Sequence, residues 1–132
     1  QFDFYRDMPG GLAGLRDVML ETEAYGFEKV SQEQIELGRR IRELMVAKGF
    51  TSVAAEGFQA PGVVVSYTTD PDIHSGKKFL AQGLQTAAGV PLQCDEPADF
   101  RTFRIGLFGL EKLHNPATAV ENFRKALESV VA

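Results

Sequence analysis

The stretch Phe103-Arg104-Ile105-Gly106-Leu107-Phe108-Gly109 constrains the chain most: an apolar run with one arginine in its middle. In extended backbone, successive side chains point to opposite sides. Phe103, Ile105 and Leu107 then share one face, which reads as core. Arg104 and Gly106 share the other. There a guanidinium stands beside a residue with no side chain, so another group can come close to the backbone. A charge in that position needs an anionic partner. The partner is either a carboxylate of this chain, with Asp99, Glu96 and Glu111 near in sequence, or a ligand carboxylate onto which the planar guanidinium can fork.

Around this strand the elements read in order. Residues 2–9 read as an extended lead-in, because Phe2, Phe4 and Tyr5 precede Pro9, and Pro9-Gly10-Gly11 is a breaker cluster. Leu12, Leu15, Val18 and Met19 recur at helical spacing, and Gly26 is a stop, which predicts a helix over 10–25. Ser31 and Gln34 form a capping-box pattern, flanked by Val30 and Ile35 as a hydrophobic staple. They predict a second helix over 32–48, with Ile35, Ile41, Leu44 and Met45 as its buried stripe and Gly49 as its end.

Thr51–Ala55 and Val63–Thr68 predict strands, the second being rich in β-branched and aromatic residues. A helix is expected at about 73–84 and a short strand or edge segment at Val90–Gln93. An acidic loop follows from Asp95 to Asp99, and the arginine strand spans 101–108. A last helix opens at Asn115-Pro116 and carries Val120, Phe123, Leu127 and Val130. The fold class expected is α+β, with one small, mostly antiparallel sheet of three or four strands covered by helices. Residues 1–30 read as a lead-in and connecting helix, and 31–132 as the small domain.

Composition excludes several classes. A chain of 132 residues can build one domain with a real core. A net charge of -4 and the absence of a basic block argue against nucleic acid as a partner. No apolar run approaches the roughly 20 residues that span a bilayer, so no membrane partner is expected. The single cysteine, Cys94, cannot form an internal disulfide and fits a reducing, cytoplasmic compartment. The N-terminus has neither an initiator methionine nor a signal-peptide pattern, as if cut from a longer chain.

No other residue set completes a catalytic constellation. His74 and His114 stand alone among polar or turn residues, without a second ligand at metal spacing. Cys94 lies beside Asp95 and Glu96, which disfavour its thiolate. Lys77-Lys78 reads as a solvated helix face. Gly10-Gly11 lacks any surrounding phosphate-loop pattern. Asp95, Glu96 and Asp99 could form an acid/base pair but imply no pocket.

The Arg104-Ile105-Gly106 segment and the helix after it resemble the C-terminal portion of class V, fold-type I pyridoxal-phosphate aminotransferases. The alanine–glyoxylate / serine–pyruvate group is the nearest branch. The resemblance runs over essentially the whole chain. It takes in both early helices, Gly49 and its strand, Pro61-Gly62-Val63-Val64-Val65, and Gly83-Leu84-Gln85-Thr86-Ala87-Ala88-Gly89. It implies that Arg104 binds the substrate carboxylate of small amino and keto acids, in a homodimeric enzyme that uses pyridoxal 5'-phosphate.

Tyr5-Arg6-Asp7-Met8-Pro9 resembles the family's Tyr-x-x-Thr-Pro segment. The resemblance therefore gives Tyr5 a cofactor-phosphate contact across the dimer, and Met8 replaces the threonine with a side chain that cannot donate. The family's Schiff-base lysine lies upstream, and none of Lys29, Lys48, Lys77, Lys78, Lys112 and Lys125 sits in a matching motif. The resemblance thus places no catalytic residue in this chain, which is expected to be inactive alone. The alternative reading is a non-catalytic α+β interaction module with Arg104 in a structural ion pair.

Overall fold

A computed structural model describes residues 4–132, with side chains from residue 11 onward. The elements are α1 (Phe4–Tyr25), α2 (Phe27–Ala47), β1 (Val63–Tyr67), α3 (Pro71–His74), α4 (Lys77–Ala81), β2 (Ala87–Ala88), β3 (Thr102–Gly106), α5 (Leu110–His114) and α6 (Pro116–Val131). The fold is α+β, and its sheet is three-stranded and antiparallel. Among the described residues no helix is long and apolar enough to cross a membrane. The chain divides into two compact units, residues 1–32 and 33–132.

In the first unit, the backbone expected to be extended is helical from Phe4, and Pro9-Gly10-Gly11 does not interrupt it. Pro9 stands in the second turn, where it removes one backbone hydrogen bond, and glycine adopts the helical region without steric cost. Gly26, at φ 108°, ends α1 by a conformation that side-chain-bearing residues rarely take. Its N–H still donates to Thr22 O at 3.0 Å, and its own carbonyl accepts from Val30 N as α2 begins. Leu12, Leu15, Met19, Leu20 and Phe27 line a shallow apolar groove.

The second helix therefore starts five residues before the expected position, and Ser31 lies inside it rather than capping it. Gln34 does not reach back to a cap. Its Nε2 donates to Pro61 O at 3.2 Å. The buried stripe is Leu37, Gly38, Ile41 and Met45, and Ile35 is exposed. Gly38 is required for this contact, since a Cβ there would stand 2.5 Å from Pro61 O. The Arg42 guanidinium closes the same junction by donating to the carbonyls of Ala60 and Val63.

The core of the second unit lies between the helices and one face of the sheet. Val64 and Ser66 of β1 pair with Ile105 and Phe103 of β3, and all four are buried. Phe103 is the hub. Its ring lies 5.4 Å from Phe50 and 5.6 Å from Phe79, which stacks in turn on Phe123 of α6 at 6.2 Å. Leu127 and Val130 extend the buried face of α6.

Three local expectations are corrected. Thr51–Ala55 forms no strand and makes a single bridge, Ser52 to Ser66. The helix expected at 73–84 is two short helices, because Gly76 at φ 81° separates α3 from α4. The edge strand is Ala87–Ala88 rather than Val90–Gln93, where Pro91 has no N–H to give. Pro116 does open α6, but the Asn115 side chain makes no capping bond.

Candidate functional site

Arg104 sits at the middle of the central strand. The sheet order is β1-β3-β2, and Arg104 pairs with Val65 on one side and Ala87 on the other. Its side chain leaves the face opposite the core and is exposed, as the alternation predicts. Nε donates to Ala88 O at 3.1 Å, which tethers the guanidinium to the edge strand. No carboxylate among the described residues lies at ion-pair distance from it. The two terminal nitrogens therefore keep their donors for an external acceptor.

The three carboxylates considered as internal partners are placed otherwise. Glu96 accepts the N–H groups of Cys94 at 2.8 Å and Gln93 at 2.9 Å. Those bonds, Cys94 first, pull its carboxyl down to about 2. Glu111 pairs with Lys112 at 2.6 Å, and that ammonium holds its carboxyl below the usual range. Asp99 makes no ion pair among the described residues and lines a cleft with Arg101. Asp95, Glu96 and Asp99 therefore form no acid/base pair, since both Glu96 oxygens are taken by backbone.

Beside Arg104 the strand surface at Gly106 is bordered by Phe108. A Cβ built on Gly106 would meet nothing closer than the Phe108 ring at 3.7 Å. The edge strand that holds the arginine is itself fixed by close packing: a Cβ on Gly89 would stand 1.6 Å from the Thr102 hydroxyl. His74 serves the same strand. It is half-buried at the end of α3, and its Nδ1 lies 2.7 Å from Thr102 O, which also accepts from Gly89 N. His114 is exposed at the end of α5, and Cys94 is exposed in the acidic loop.

The side chains of Tyr5, expected at a cofactor phosphate, and of Met8, at the threonine position of that segment, lie outside the described residues. Each of the six lysine amines is already engaged. Lys29 lies over the Tyr25 ring, and Lys112 bonds Glu111 and Phe108 O. Lys48, Lys77, Lys78 and Lys125 face Glu128, Asp72, Asp70 and Glu121.

Sequence reasoning missed a cavity of about 540 Å³ on the core side of the sheet. Leu37, Ile41, Ile105, Leu107 and Phe123 give it an apolar lining, and Gly106 is also among its lining residues. Its walls come from α2, the 83–86 segment, β3 and α6, which no local pattern in the sequence links. Neither protein-family models nor curated proteins match this chain.

Proposed function

We propose that this chain is the C-terminal part of a pyridoxal-phosphate-dependent aminotransferase acting on small amino and keto acids, and that Arg104 is its substrate-carboxylate clamp. The carrying observation is the exposed central-strand guanidinium, tethered through Nε alone, with no carboxylate at ion-pair distance among the described residues. The resemblance around Arg104-Ile105-Gly106 supplies the substrate class. A carboxylate forked on Arg104 is fixed in position and orientation, which lowers the entropic cost of placing its Cα for reaction. The pyridoxal cofactor supplies the electron sink when bound. The side chains of this chain that are described hold and orient the substrate.

Arg104→Gln, in the polypeptide that joins this segment to the cofactor-holding residues, is expected to raise KM for carboxylate substrates about 10–100-fold, the range of a lost charge-assisted bond. The thermal midpoint of the 132-residue chain should shift little, because the side chain is exposed and makes no ion pair among the described residues. Unfolding by this substitution would instead assign Arg104 a structural role. The 132-residue chain treated with pyridoxal phosphate and borohydride should yield no adduct confined to one lysine.

A further inference from the structure

A second cleft, of about 530 Å³, lies at the other end of the strand pair and shares no residue with the Arg104 surroundings. It is built where β1 ends and the loop into β3 begins, and its volume is that of a small-molecule site. The floor is apolar, with buried Ile73 and half-buried Phe50 and Phe100. Tyr67 and Phe100 meet edge to face at 5.7 Å and 89°, giving one aromatic wall. Thr51 and Thr69 stand at the rim.

The charges on this cleft are what select a ligand. Asp70 is spent: its carboxylate accepts from Asp72 N and Ile73 N at the start of α3 and pairs with Lys78 at 2.6 Å. Arg101 and Asp99 are not spent. Both line the cleft, yet neither makes an ion pair among the described residues, with each other or with any other group. A guanidinium selects a carboxylate. The nearby aspartate selects an ammonium, which the faces of Tyr67 and Phe100 also favour. A dianion would face repulsion from Asp99, and a simple cation would leave Arg101 unanswered. A molecule carrying an ammonium and a carboxylate on one carbon answers both groups at once.

We infer that this cleft binds a free α-amino acid in its zwitterionic form, with the carboxylate on Arg101, the ammonium on Asp99 and an apolar side chain against the Phe50–Ile73–Phe100 floor. The site is separate from Arg104 and does not depend on the role given to it.

The test uses the 132-residue chain and L-leucine as the probe, with N-acetyl-L-leucine and L-leucinamide as analogues that each keep one charge. L-leucine should raise the thermal midpoint saturably, and each analogue should bind about tenfold or more weaker. Arg101→Gln and Asp99→Asn should each weaken L-leucine by a similar factor, while saturable binding persists in Arg104→Gln. Two variants on exposed residues keep the test decisive if one of them disturbs folding. The inference is overturned if L-leucine shows no saturable binding, if the single-charge analogues bind as well, or if both cleft variants bind as the parent does. It is also overturned if Arg104→Gln is the substitution that abolishes binding, since the amino acid then sits at the strand arginine.

Discussion

Arg104 owes its position to two small residues on either side of it. Gly89 lets the edge strand close on Thr102, and at Gly106 an added Cβ would make only ordinary contact with the Phe108 ring. The two glycines should therefore respond oppositely to one added methyl group. Gly89→Ala should destabilise the chain by about 1–3 kcal/mol, because the contact includes Thr102 backbone that cannot swing aside. Gly106→Ala should unfold at nearly the parental temperature and, if a substrate lies over that glycine, raise KM in the enzyme. Equal thermal midpoints for the two variants would contradict the packing described. Sequence alternation alone placed Arg104 and Gly106 on the open face. The demand at Gly89 was not legible, because its partner Thr102 is brought close only by strand pairing.

At the level of elements, the acidic loop before β3 is held by Glu96, whose carboxylate accepts two backbone N–H groups. Its carboxyl falls from 4.5 in the unperturbed state to about 2 in the folded chain. A group whose folded value is the lower one stabilises the fold fully above its unfolded value. That contribution is lost as pH falls from 4.5 towards about 2. Thermal midpoints followed from neutral pH down to about pH 2 should decline through that window, and Glu96→Gln should flatten the decline. An identical pH profile for the variant would show that the loop contributes nothing. The strands with strong β-branched or alternating patterns were legible, and β1 and β3 lie where those patterns put them. Helix limits were less so. Ser31 and Gln34 have the spacing of a cap, but the turn at Pro61 takes Gln34, and Gly26 sets the start of α2. Gly76 splits α3 from α4 by a backbone conformation that apolar spacing does not encode.

At the scale of the whole molecule, every fully buried apolar side chain among the described residues belongs to 33–132. A chain beginning at Gly26 therefore keeps the whole of that core, including the Phe103 hub. It should unfold cooperatively with a thermal midpoint within a few degrees of the longer chain. A fragment without a cooperative transition would mean that α1 is needed for the fold. The α+β class was legible because strand and helix patterns alternate in type along the chain. The cavity beside Gly106 and the Arg101–Asp99 cleft were not, because each is assembled from segments distant in sequence.

A carboxylate clamp at Arg104 would make the enzyme's preference for a free carboxylate depend on that guanidinium. The most direct measurement is the ratio of kcat/KM for alanine to that for alaninamide, taken in the cofactor-bearing enzyme before and after Arg104→Gln. Such a clamp gives strong preference for alanine in the parent and a ratio about 10–100-fold smaller in the variant, almost all of it from loss of alanine turnover. A ratio that Arg104→Gln leaves unchanged would contradict it.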